Sequence, residues 1–257
     1  MLLGEPSLKK LLAANWKMFK TTAEAQDTLT SLLALTPPMP PDREFVLFAP
    51  YTALHTCAGI LARHPGFAVG SQNVYPAAEG AFTGEISPKM LLDAGCAYVL
   101  TGHSERRVVL HESSGFIGKK TAFALVQGLH VVLCIGETLS EREQGKLEAV
   151  LAEQLELGLA EVPDDVSPGR LAVAYEPVWA IGTGKVAGPR EILDVHAVVR
   201  RLLLARFPAQ GAFVRILYGG SVNPGNTKQI LALDNVGGVL VGGASLEAKS
   251  MHAIMLS

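Results

Sequence analysis

Four residues able to handle protons and negative charge stand just beyond short apolar runs. Asn15 and Lys17 follow Leu11–Ala14, His103 follows Tyr98–Thr101, and Glu176 ends Leu171–Tyr175. A carboxylate in a pocket from which water can be shut out suits proton abstraction. His103 precedes Ser104-Glu105-Arg106-Arg107, which reads as a helix start with Ser104 as its cap. A histidine beside a helix N-terminus tends to be neutral and can donate a hydrogen bond to a carbonyl oxygen. Lys17 supplies the positive charge that an anionic substrate requires. Two glycine pairs, Gly219-Gly220 before Ser221 and Gly242-Gly243 before Ala244-Ser245-Leu246, offer bare backbone N–H groups for an anion. Each feature has a plainer alternative: a salt-bridging Glu, a capping His, a surface Lys, and glycines that merely end strands.

Glu176 opens the segment Glu176–Lys185. Pro177 keeps Glu176 on extended backbone. Val178, Trp179, Ala180 and Ile181 are apolar, yet Gly182 and Gly184 keep the segment out of regular structure. Apolar side chains on a surface loop cost free energy unless the loop covers something. The segment is therefore either a lid, hinged at Pro177 and closing Trp179 and Ile181 over a ligand, or an ordinary connection with a buried Trp. Gly184-Lys185 is not a phosphate-binding P-loop, because Trp179 and Val186 occupy positions that need Gly and Ser or Thr.

The elements that must position these groups recur through the chain. Apolar runs at Leu11–Ala14, Phe45–Ala49, Phe67–Gly70, Tyr98–Thr101, Val131–Ile135, Leu171–Tyr175, Val214–Leu217 and Val239–Val241 read as strands buried on both faces, hence parallel. Helical periodicity separates them, as at Thr22–Leu35, Gly118–Gln127, Leu147–Leu159 and Arg190–Phe207. Eight such alternations predict one closed (β/α)8 TIM barrel, since an open doubly wound sheet usually stops nearer six strands. The polar residues all follow strands, whereas helix-to-strand connections such as Pro163-Asp164-Asp165 are plain. In a parallel barrel the strand ends share one face, where barrel enzymes place their sites. Phosphate sites often lie after strands seven and eight.

Composition excludes several classes. The 257 residues suit one barrel domain, and the 49% hydrophobic content supplies a large core. A net charge of −2 argues against nucleic acid or an acidic membrane surface as partner. Cys57, Cys96 and Cys134 lack metal-ligand spacing and read as reduced thiols of a cytoplasmic protein. Glu5 and Pro6 make the N-terminus a poor signal peptide, so residues 1–8 read as a short extension. No apolar run approaches a membrane span.

Seven motifs in register resemble triosephosphate isomerase: Asn15–Met18, Gly80–Ser87, Gly102–Arg107, Cys134–Glu137, Ala174–Lys185, Tyr218–Val222 and Gly238–Leu246. The resemblance runs from about Leu11 to the C-terminus. It implies interconversion of dihydroxyacetone phosphate and glyceraldehyde 3-phosphate, with Glu176 as base and a neutral His103 polarising the carbonyl. Asn15 and Lys17 would stabilise the enediolate oxygen and the phosphate. Backbone amides of Gly182, Ser221, Gly242 and Gly243 would hold the phosphate. Ser104 would retain Glu176 before closure, and Glu105 would pair with Lys17. The long Val74–Gly84 segment matches a dimer loop, with Thr83 reaching the neighbouring subunit of a homodimer. No metal or organic cofactor is implied. Phe19, Leu110–Gly115 and the Glu247–His252 ending depart from the family pattern without touching these positions. Two alternatives remain: another phosphate-binding isomerase using paired Asp residues, which no strand end here supplies, and a catalytically inactive barrel serving as a scaffold.

Overall fold

The computed structural model describes residues 8–180 and 187–257. Eight strands occupy β1 (Lys10–Asn15), β2 (Arg43–Ala49), β3 (Phe67–Ser71), β4 (Tyr98–Thr101), β5 (His130–Ile135), β6 (Leu171–Tyr175), β7 (Arg215–Tyr218) and β8 (Gly238–Val241). Every neighbouring pair is parallel, and β8 returns to β1 through Leu11↔Gly238 to Ala14↔Val241, closing the barrel. Ten helices are described: α1 (Thr22–Leu35), α2 (Leu54–Leu61), α3 (Pro88–Asp93), α4 (Ser104–Val108), α5 (Ser114–Val126), α6 (Leu139–Glu143), α7 (Leu147–Gly158), α8 (Pro189–Arg206), α9 (Thr227–Leu231) and α10 (Ala248–Met255).

The continuous apolar runs are explained by two cores that share each strand. One residue in two faces the barrel interior: Leu11 and Ala13, Val46 and Phe48, Val132 and Cys134, Ala172 and Ala174. The intervening Leu12, Phe45, Leu47, Val131, Leu133, Val173 and Tyr175 face outward and pack beneath the helices. Because both faces are dry, no polar alternation is left to read.

Sequence expectations and structure differ at strand starts. β1, β5 and β7 include Lys10, His130 and Arg215, which interrupt the apolar runs but keep ladder pairing at Lys10↔Arg43, Tyr98↔His130 and Ala172↔Arg215. His130 and Arg215 belong to a layer closing the lower end of the barrel, whereas Lys10, next to inward-facing Leu11, points outward to the Val236 carbonyl. In that layer Arg215 pairs with Glu44, Tyr98 donates to Glu44 at 3.2 Å, and the Tyr98 and His130 rings stack at 4.7 Å. Helix α5 begins at Ser114 rather than Gly118 because the Ser113 hydroxyl accepts the Phe116 N–H at its N-terminus. β7 is shifted by one residue, to Arg215–Tyr218, and ends on a fully buried tyrosine.

Outside the barrel wall, His196 of α8 is wholly buried beside Tyr175 and Tyr218. Its Nδ1 lies 3.1 Å from the Asn235 carbonyl, so that nitrogen carries the proton, and its Nε2 has no partner. Burial pushes its pKa down from 6.5 to about 4. Between those values the unfolded chain binds the proton and the folded chain does not, so stability rises with pH across the window and is lost as pH falls through it. Chemical denaturation from pH 6.5 to 4 is expected to show a loss from this residue approaching about 1.4 kcal/mol per pH unit. His196→Gln should flatten that slope. An identical slope in the variant removes His196 as the cause.

Candidate active site

The inward-facing series of each strand ends at the upper rim, where polar or glycine residues replace apolar ones. On β1 the series Leu11, Ala13 continues to Asn15; on β6, Ala172 and Ala174 lead to Glu176; on β8, Leu240 leads to Gly242. Asn15, Lys17, His103, Glu176, Ser221, Gly242 and Gly243 line one cavity of about 380 Å³. Phe19 also lines it, which the sequence alone did not suggest. Gly182 lies outside the described residues.

Lys17 reaches the cavity through an uncommon backbone conformation. Its φ is +52°, a left-handed geometry that costs a non-glycine residue about 1–3 kcal/mol. Two side chains hold it there. Lys17 N–H donates to Asn15 Oδ1 at 2.9 Å, and Gln72 Nε2 donates to the Lys17 carbonyl at 2.8 Å and to the Phe48 carbonyl at 3.1 Å. Gln72 therefore belongs to the site as a positioning residue. Sequence placed it after a strand but showed nothing of this contact. The Lys17 ammonium sits 2.7 Å from Glu105 Oε1.

Glu176 is 2% exposed and both its carboxylate oxygens are engaged. Oε1 lies 3.0 Å from His103 Nε2, and Oε2 accepts the Ser104 backbone N–H at 2.9 Å. His103, not Ser104, caps α4: its Nδ1 accepts the Glu105 N–H at 3.3 Å. The imidazole fits because it spans cap and carboxylate at once, which a serine hydroxyl cannot. An acceptor at Nδ1 assigns the proton to Nε2, aimed at Glu176.

The protonation of His103 is contested by its neighbours. Burial disfavours the imidazolium, but the Glu176 carboxylate, helped by Glu105, outweighs it and raises the His103 pKa above its ordinary value. The Glu105 N–H at Nδ1 is satisfied only by a neutral ring. A backbone amide cannot leave, whereas a side-chain carboxylate can. Once Glu176 moves away, burial, the largest influence, and the Lys17 charge favour neutral imidazole against Glu105 alone.

Close backbone approach explains two glycines. A Cβ on Gly136 would lie 1.7 Å from the Glu176 carbonyl oxygen, and one on Gly219 would lie 2.9 Å from Glu176 Cγ. Neither position admits alanine without displacing Glu176.

Glu137 anchors the turn that leaves Glu176. It is wholly buried, and its Oε1 accepts from Tyr175 Oη at 3.1 Å, Trp179 Nε1 at 2.9 Å and Arg142 Nη1 at 3.1 Å. The Arg142 guanidinium covers the Trp179 ring at 4.9 Å, and Val178 N–H donates to the Glu137 carbonyl at 3.2 Å. Burial pushes the Tyr175 phenol far above its usual pKa, so it stays a neutral donor. Trp179 is thus turned toward Glu137 and does not line the cavity. The indole N–H decides this, because a buried carboxylate is a better partner than an apolar ligand. Ile181, also expected over the ligand, and Thr183, Gly184 and Lys185 lie outside the described residues. The sequence signal for Glu137 was its place after β5 at the same rim; its partners come from three separate segments.

Among the described residues no group of three or more His, Cys, Asp or Glu side chains could hold a metal ion. Cys57, Cys96 and Cys134 are buried and unbridged, and burial raises the Cys57 and Cys96 pKa values to about 12, so both are inert thiols.

Comparison with known proteins agrees with this geometry. A family model described as triosephosphate isomerase matches residues 10–257. A triosephosphate isomerase of Nitratidesulfovibrio vulgaris (strain DSM 19637 / Miyazaki F) is 62% identical over 251 residues, covering 97% of this chain and 100% of that protein. One from Oleidesulfovibrio alaskensis is 58% identical, with 97% and 100% covered. The crystal structure of triosephosphate isomerase from Bartonella henselae superposes with a TM-score of 0.85 at 36% identity, covering 96% of this chain and 98% of that one. With most of its length matched and its barrel shared, the chain belongs to the triosephosphate isomerase family.

Proposed function

We propose that this protein interconverts dihydroxyacetone phosphate and D-glyceraldehyde 3-phosphate through an enediolate, as an enzyme of glycolysis and gluconeogenesis in the cytoplasm. The observation that carries this is the hydrogen-bonded Glu176–His103 pair in a cavity that also receives Asn15 and Lys17. Glu176 takes a proton from C1 of the ketone phosphate and the C2 carbonyl becomes an enediolate oxygen. Neutral His103 and Lys17 stabilise that oxygen, and His103 passes the hydroxyl proton between the two oxygens. Returning the carbon proton to C2 completes the aldehyde. A neutral histidine electrophile is a feature for which this family is the reference case. Glu176 must first leave His103 and the Ser104 amide, the two donors that hold it. Asn15, Ser221, Gly242 and Gly243 are assigned to the phosphate end of the cavity, with Gly182, outside the described residues, as a further amide donor. All of this needs only protons and fixed charge, so no cofactor is assigned. The inactive-scaffold alternative gains no support, because Glu176, His103, Lys17 and Asn15 all line one cavity.

The protein is further proposed to be a homodimer through Val74–Gly84. That segment is braced by the Tyr75 N–H to Ile86 carbonyl bond at 2.9 Å and by Tyr75–Phe82 stacking at 4.5 Å, yet Phe82 stays 42% exposed. Met18 is 94% exposed, and Val109 and Leu110 are exposed as well. Apolar surface beside the catalytic rim is consistent with a partner's loop covering it. No described helix is long and apolar enough to cross a membrane.

A coupled assay with glyceraldehyde 3-phosphate tests the reaction itself. In that assay Glu176→Asp should lower kcat by about 10²-fold or more with little change in KM, since a withdrawn base loses much of its contribution while phosphate contacts persist. Normal turnover would remove Glu176 from the base role. Lys17→Met should weaken inhibition by inorganic phosphate in parallel with the loss of kcat/KM; unaltered phosphate inhibition would mean Lys17 does not face the phosphate. Sedimentation should find dimers. Replacing residues 75–82 with a short Gly-Ser turn should give monomers of reduced activity, and a wild type already monomeric and active would refute the dimer.

A further inference from the structure

The lower end of the barrel holds a second concavity, of about 480 Å³, that the reaction does not use. Its position is set by the strands. Lys10 and Arg215 begin β1 and β7, whereas the catalytic groups follow the other ends of the strands. A six-residue strand at ~3.3 Å per residue separates the two regions by roughly 15–20 Å.

Three cations line this concavity, Lys10, Arg200 and Arg215, and among the described residues no Asp or Glu does. Their partners are mostly neutral. The Lys10 ammonium bonds the Val236 carbonyl at 2.5 Å. Arg200 bonds the Gly211 and Val214 carbonyls and, at 3.0 Å, the Asn235 side-chain amide oxygen. Neither forms an ion pair with any described residue. Arg215 alone has a carboxylate, Glu44, and that carboxylate is shared with Tyr98. Asp42, whose charge also acts on Lys10, is held by Arg43 at 3.2 Å. Among the described residues, the three cations of the wall therefore have one carboxylate bonded to them, Glu44.

Such an imbalance is costly in a partly dry concavity. Burial lowers the pKa of both Lys10 and Arg200, and the Arg43 charge lowers Lys10 further. Arg215 is 5% exposed with a buried Nε that has no partner. Surfaces of one sign with low-dielectric walls concentrate counter-ions. Guanidinium groups offer planar forks that match phosphate oxygens, while an ammonium acts as a point charge. Carbonyl partners leave those charges uncompensated, so they orient the cations without neutralising them.

We infer that the concavity bounded by Lys10, Arg200 and Arg215 is an anion-binding site, distinct from the catalytic one, for a small phosphate-bearing ligand. Its volume exceeds that of the catalytic cavity, so it admits a diphosphate or a phosphate monoester with a short carbon chain. A ligand bound there would neutralise charge that the fold carries unpaired, and so would stabilise the native barrel.

Equilibrium dialysis of the full chain with inorganic pyrophosphate, and separately with glycerol 3-phosphate, at ionic strength matched with chloride, tests this. The Lys17→Met variant, whose catalytic phosphate contact is weakened, should retain one saturable site per chain. In that background Lys10→Met and Arg200→Met should each weaken binding at least tenfold, whereas Lys10→Arg should restore it. In the wild-type background Lys10→Met should leave kcat/KM unchanged. The tighter of the two ligands identifies whether the site takes a diphosphate or a monoester. Arg200 also ties two carbonyls, so if Arg200→Met fails to fold, the half-exposed Lys10 decides the matter. Binding that survives Lys10→Met undiminished, or that matched chloride abolishes, overturns the proposal and leaves the three cations as clamps on backbone carbonyls.

Discussion

The two-residue period of a closed parallel barrel is the constraint on which everything else depends. With both strand faces buried, each residue is assigned to the interior or to the helical shell, and a slip of one residue would exchange them. The interior series then ends at the rim with no freedom left: Asn15 extends Leu11 and Ala13, and Glu176 extends Ala172 and Ala174. The candidate catalytic groups are thus carried at the ends of barrel strands. The same rule places the polar layer of Glu44, Tyr98, His130 and Arg215 at the opposite end. One end is organised for chemistry and the other for closure, and the surplus of positive charge at the closed end is what makes it a candidate for a ligand of its own.

At the rim, strength and mobility are divided between two glutamates. Glu137 is pinned by a tyrosine, a tryptophan and an arginine, and cannot move without releasing all three. Glu176 is held by His103 and one backbone amide, contacts that a bound substrate can replace. The turn at Val178–Trp179 is fixed to the first, and the candidate base is the second. Gly136 and Gly219 make this possible by letting backbone pass where any side chain would collide. Strain at Lys17 is held in the same spirit, with Asn15 and Gln72 imposing a conformation the lysine would not choose.

Much of this is legible from residues. The strand cores, the helix Thr22–Leu35 and the gathering of Asn15, Lys17, His103 and Glu176 on one face come from apolar runs and from the residues standing after them. Strand starts are not legible where a polar residue continues the ladder, since hydropathy cannot see backbone pairing. The cap of α4 escapes the sequence because propensity favours serine, whereas His103 gains a second hydrogen bond that only the folded barrel supplies. The partner of Trp179 escapes it for a related reason: the indole N–H finds Glu137, 42 positions away, only once the strands are side by side.

By itself, the sequence determined the barrel class and the family and named the candidate reacting groups, because periodicity and motif spacing are properties of the chain as a line. Tertiary structure decided which of those groups touch. The pairing of His103 with Glu176, of Lys17 with Glu105, and of Gln72 with the Lys17 carbonyl joins positions 73, 88 and 55 apart. So does the balance of charge at Lys10, Arg200 and Arg215, which are basic residues wherever they stand but form a cluster with a single carboxylate partner only when β1, α8 and β7 meet. Hydrogen bonds and charges act over a few ångströms, and nothing in a linear spacing of tens of residues specifies distance on that scale until the barrel has closed.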